Sequence, residues 1–68
     1  MSSLPDPPPH VVRLQAWIRG GPGRRARIRD GKYVVLYVES QAFEHREDGD
    51  AETASRRAIE AARKAGFR

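Results

Sequence analysis

Residues 10–39 read HVVRLQAWIRGGPGRRARIRDGKYVVLYVE, and one parity rule runs through them. Taken as extended chain, the even positions Val12, Leu14, Ala16, Ile18, Ala26, Ile28, Val34, Leu36 and Val38 are all apolar. The odd positions include Arg13, Trp17, Arg19, Arg25, Arg27, Arg29, Tyr33, Val35 and Tyr37. Strand side chains alternate between faces, so a sheet made of these segments joins an apolar face to one of arginines and aromatics.

Local signals divide the stretch. Asp30-Gly31 favours a type I′ turn and a two-residue hairpin, which predicts strands over residues 24–29 and 32–39. Tyr33 to Val38 is apolar on both faces, as a central strand is. Residues 10–19 admit two readings. As a helix, Val11, Leu14, Trp17 and Ile18 share one side, and Gly20-Gly21-Pro22-Gly23 would stop it. As a strand they alternate in the same parity as their neighbours, and their β-branched and aromatic content favours extended chain, so the strand is the expectation.

Outward from this stretch the signals are simpler. Residues 1–9 hold four of the five prolines and read as a disordered leader to a single domain over 10–68. Phe43 is placed to begin a short fourth strand or to close the core, and residues 44–50 (EHREDGD) have no apolar pattern and read as a solvated acidic loop. A C-terminal helix follows, with Asp50 as N-cap, Glu52 near its start, Arg63 and Lys64 near its end, and Gly66 as its stop. Glu60 and Lys64 have the spacing of an ion pair. The helix stripe to be buried is Ala51, Ala54, Ala58, Ala61, Ala62 and Ala65, with Ile59 at its margin. Alanine buries little area, so Leu14, Ile18, Leu36 and Phe43 must supply the bulk of the core.

The expected fold is therefore α+β: a small antiparallel meander of three strands, with a fourth available from Phe43, packed by one C-terminal helix (β-β-β-α). A helix over residues 9–19 would make it α-β-β-α instead. Three strands before an alanine-rich helix resemble small antitoxin sheet domains and the arm-type DNA-binding modules that precede some recombinase domains. That resemblance is one of architecture, rests on no motif, and carries no residue role with it.

Charge and composition narrow the function classes. The 68 residues carry a net +4, distributed unevenly. Residues 1–38 have seven basic and two acidic side chains, residues 39–52 one and six, and residues 53–68 five and one. Eleven of the thirteen basic residues are arginine, whose planar fork suits phosphate and whose flat guanidinium stacks on rings. The chain has no cysteine, so neither disulfides nor a thiolate zinc site stabilise so small a domain, and self-association is a natural way to do so. No nucleophile elbow, phosphate loop or calcium-loop spacing occurs, which predicts a non-enzymatic protein with no cofactor, metal or small-molecule substrate. No apolar run spans a bilayer and none forms a secretory signal, which predicts a cytoplasmic location without membrane association.

With one helix available, one sheet face stays open, and the odd face is the candidate site: Arg13, Trp17, Arg19, Arg25, Arg27, Arg29, Tyr33, Val35 and Tyr37, with Arg24 beginning the arginine ribbon. Aromatics offer stacking surfaces for bases and arginines offer cations for phosphate, which points to DNA or RNA. Protein interfaces favour the same residue types, so the same face also fits a homodimer seam.

Overall fold

The structure is a computed structural model that describes residues 5–30 and 33–68. In chain order the elements are helix α1 (Pro9–Arg19), strands β1 (Arg24–Arg29) and β2 (Tyr33–Val38), a short 3₁₀ turn (Glu39–Gln41), strand β3 (Phe43–Asp48) and helix α2 (Ala51–Lys64). The strands form one antiparallel sheet in the order β1-β2-β3, so the small α+β meander expected from the sequence is present. Two of its segments differ from expectation.

Residues 10–19 are a helix, not a strand. Pro9 sits in the first turn, where its missing N–H costs nothing, and the amides of Val11 and Val12 donate to the Pro8 carbonyl. Leu14 and Trp17, three residues apart, are buried, and Ile18 packs beside them. Val12, which the parity rule would bury, is 46% exposed. The same apolar residues thus satisfy both periodicities over a short window, and burial of Trp17 against a second helix decides for 3.6 over 2. Pro9, assigned to a disordered leader by sequence, is the first residue of this helix.

Residues 43–48 are the third strand, not an acidic loop. Phe43, His45 and Glu47 turn toward the helices and are half-buried, while Glu44, Arg46 and Asp48 are exposed. Pairing of Val38 with Phe43, Leu36 with His45 and Tyr33 with Asp48 along β2 provides the backbone partners that the side chains do not advertise. In the other hairpin Arg29 pairs with Tyr33, so three residues rather than two separate the paired positions. Asp30 has φ 53°; Gly31, the second residue of the expected turn, lies outside the described residues.

Both helices cover the same side of the sheet, α1 beside β1 and α2 over β2 and β3. Between the layers lie Leu14, Trp17, Val34, Leu36, Val38, Ala54, Ala58, Ile59 and Ala62, with Ile18, Ala26, Phe43 and Phe67 packed around them. The alanines of α2 let its backbone approach the sheet while Leu36 and Val34, both fully buried, fill the gap. Ile59 belongs to this core and not to its margin, and Ser55 is buried with it.

The ends of α2 follow its sequence signals. Asp50 accepts from the Thr53 amide at 3.0 Å, which satisfies a first-turn donor and holds the Asp50 carboxyl below the usual carboxylate range. Gly66 takes φ 102° after the last turn, and the Phe67 amide then reaches back to the Ala62 carbonyl at 2.9 Å. This return lays Phe67 against Phe43, with ring centroids 4.9 Å apart. Glu60 and Lys64 do not form the ion pair their spacing permits; Glu52 instead pairs with Arg13 of α1 and ties the two helices.

Candidate nucleic-acid interface

Because Val34, Leu36 and Val38 point into the core, Tyr33, Val35 and Tyr37 point to the opposite side of β2, which neither helix covers. Register then builds that face as three rows. Arg25, Tyr37 and Glu44 lie side by side at one end; Arg27, Val35 and Arg46 lie across the middle; Arg29, Tyr33 and Asp48 lie at the other end. Parity holds between β1 and β2, whose paired ends are three residues apart. It reverses into β3, because four residues separate Val38 from Phe43.

Each tyrosine is flanked by a guanidinium. Arg46 stacks over Tyr33 with its Cζ 4.0 Å from the ring centroid. Arg25 lies 5.8 Å over Tyr37 and donates from Nη1 to the Tyr37 hydroxyl at 3.2 Å. That hydrogen bond is the main cause holding the Arg25 guanidinium above its ordinary range. Arg46 also pairs with Asp48 at 3.3 Å, whereas Arg27 and Arg29 have no carboxylate within ion-pair reach among the described residues. A shallow concavity of about 320 Å³ runs along the face between Arg27, Arg29, Tyr33, Val35, Tyr37 and Glu44. Two guanidinium groups and one carboxylate rim it, and two phenol rings and a valine floor it.

Of the residues assigned to this face from sequence, Arg25, Arg27, Arg29, Tyr33, Val35 and Tyr37 come together on it. Arg13, Trp17, Arg19 and Arg24 do not. With residues 10–19 helical, Arg13 and Arg19 belong to α1, and Trp17 is 4% exposed in the core between the layers. Arg24 opens β1 on the inward parity and folds over the Trp17 ring, 5.0 Å from its centroid. Arg46, Glu44 and Asp48 are the contributors that sequence reasoning missed. The signal for them was the alternation of Phe43, His45 and Glu47, which is faint because two of the three are titratable.

The remaining titratable cluster does not form a second site of this kind. His45 and Glu47 meet at 2.8 Å on the inward side of β3, and among the described residues no three His, Asp or Glu side chains converge on a point. No helix among the described residues is long and apolar enough to cross a membrane. Fold and face together define a two-layer α+β domain with one bare, arginine- and tyrosine-bearing sheet surface. No protein family matches the chain, and no curated protein or solved structure is detectably similar to it.

Proposed function

We propose that this protein is a non-enzymatic nucleic-acid-binding module that seats a single strand on the open sheet face. The observation that carries the reading is the row pattern of that face: Tyr33 and Tyr37 at the two ends of β2, Val35 between them, and alongside on β1 Arg27 and Arg29, which meet no carboxylate among the described residues. Two rings four positions apart on one strand give stacking surfaces in a line, and a parallel line of guanidinium groups suits the phosphates of the same strand. Arg46 and Arg25 already rest on the rings, so a base displaces or sandwiches a guanidinium instead of meeting bare phenol.

A second copy of the chain is the competing occupant: a two-fold axis along the strands would set Arg25 over Glu44 and Arg29 over Asp48 of the other copy, with Arg27 over Arg46 as the like-charge contact.

Fluorescence anisotropy of labelled single-stranded DNA and RNA, measured across a salt series, tests this. Affinity falls with salt, and Arg27→Gln flattens the slope of log K against log[salt] by about 0.7, the share of one phosphate on a single strand. Tyr33→Ala or Tyr37→Ala weakens binding by about 1–3 kcal/mol with the slope unchanged. Absence of binding to either nucleic acid at low salt removes the reading. Sedimentation at micromolar concentration is the companion experiment, since a dimer lost in Val35→Asp would assign the face to self-association.

A further inference from the structure

The two ends of the open sheet face carry the same residue types in the same order across the strands, yet they are in different states. At one end Arg25, Tyr37 and Glu44 stand in register; at the other stand Arg29, Tyr33 and Asp48. The Tyr33 row is already occupied. Arg46 lies 4.0 Å from the Tyr33 centroid and pairs with Asp48 at 3.3 Å, so both the ring and the carboxylate of that row have a partner within the chain. The Tyr37 row is open. Arg25 stands 5.8 Å from the Tyr37 centroid and bonds its hydroxyl, which sets the guanidinium toward the hydroxyl end of the ring and leaves the centre of the ring uncovered. That bond uses Nη1 alone, and the Arg25 guanidinium makes no ion pair among the described residues. Glu44 is exposed, lines the concavity, and meets no cation at ion-pair distance among the described residues.

A ring with a donor-only group on one side and an acceptor-only group on the other specifies the base that fits between them. Guanine is the complement. Its O6 and N7 accept on one edge, where arginine is the usual partner, and its N1–H and N2 amine both donate on another, where a single carboxylate can take them together. Adenine would set its N1 acceptor against Glu44. Cytosine has only C–H groups opposite its hydrogen-bonding edge, and uracil has one N–H between two carbonyls. The dimensions agree with a purine. Two inter-strand spacings, about 9.6 Å, separate the β1 and β3 backbones, close to the span of a purine with a hydrogen bond at each edge. The concavity of about 320 Å³ corresponds to about ten waters at roughly 30 Å³ each, which is room for one such base.

We propose that the Tyr37 row selects guanine, with the base stacked on Tyr37, Arg25 donating to O6 or N7, and Glu44 accepting from N1–H and the N2 amine. This selectivity rests on the sheet face binding a strand, and it gives that strand a base preference. It also gives Glu44 a task. A carboxylate repels phosphate, so on a face that holds a nucleic acid it is suited to a base edge and not to the backbone, whose phosphates fall to Arg27 and Arg29 on the opposite side of β2.

Fluorescence anisotropy of labelled U-rich pentanucleotides that differ only in the central base, measured at one low salt concentration, is the test. Central guanine binds about tenfold more tightly than central adenine, cytosine or uracil, the discrimination of one good bidentate pair. Inosine, which lacks the N2 amine, falls between. In Glu44→Gln, shown to be folded by circular dichroism, guanine and adenine bind alike, and affinity for the adenine oligonucleotide holds or rises because a repulsive charge is gone. Competition by GMP separates the sources: displacement at concentrations comparable to the oligonucleotide assigns a free guanine nucleotide as the ligand, and failure to displace assigns guanine within a strand. Equal affinity for all four central bases overturns the guanine row while leaving strand binding in place. So does a guanine preference that persists unchanged in Glu44→Gln. Absence of binding by every oligonucleotide removes the strand reading and this selectivity with it.

Discussion

Val34 and Val35 are neighbours on β2 with the same side chain on opposite faces, and truncating each to alanine measures how bare the outer face is. Val34 is 0% exposed beneath the helices. Val→Ala there removes about two methylene equivalents at about 0.8 kcal/mol each and leaves a cavity that the sheet cannot fully collapse, for a total of about 2–3 kcal/mol. A domain of this size has only about 3–10 kcal/mol to lose. At roughly 4–8 °C per kcal/mol, Val34→Ala lowers Tm by roughly 8–24 °C. Val35→Ala shares the loss of strand propensity but creates no cavity between layers, so its cost stays below about 1 kcal/mol. Thermal and urea unfolding followed by circular dichroism, each at two protein concentrations tenfold apart, gives the comparison. An equal loss at both positions, or a Tm for the parent protein that rises with concentration, would mean that something covers Val35, and the argument for an open face would fail.

Three further outcomes follow from individual contacts. Ser55 is 0% exposed and its Oγ has no hydrogen-bond partner among the described residues, so Ser55→Ala holds or raises Tm in the same melts; a marked fall would show that the hydroxyl is bonded after all. The Asp50 cap is a carboxylate whose folded pKa is depressed by the Thr53 amide. Its stabilisation is therefore full above the ordinary carboxylate range and is lost as pH falls through the lower folded value. Asp50→Ala lowers Tm at pH 7, and the gap from the parent narrows at pH 2–3; a gap independent of pH would detach the cap from ionisation. Gly21→Ala places a methyl against Arg24 Nε and drives the guanidinium off the indole, which shifts Trp17 emission with little change in Tm because the displaced group is a flexible side chain. An unchanged emission spectrum would argue against the Arg24 pose.

The parity of residues 24–38 was legible because β1 and β2 are amphipathic or apolar at the period of a strand, and a three-residue gap between paired ends preserves that parity across the hairpin. It placed Arg25, Arg27, Arg29, Tyr33, Val35 and Tyr37 on one face before any coordinates. The caps of α2 were equally plain, since capping depends on residues within one turn of each other. The segments at either side were not. Residues 10–19 fit two periods over eleven residues or fewer, and only the chance to bury Leu14 and Trp17 against the alanine stripe of α2 separates them. Phe43–Asp48 has almost no apolar signal; it is a strand because β2 offers it a full ladder of backbone partners at the sheet's edge. Local chemistry along the chain therefore determined the central hairpin, the capped helix and most of the cationic face. Tertiary packing decided that Trp17 is core, that Arg24 folds over it toward residue 68 on the far layer, and that Arg46 completes the sheet surface, because each of those outcomes turns on partners brought together only by the fold.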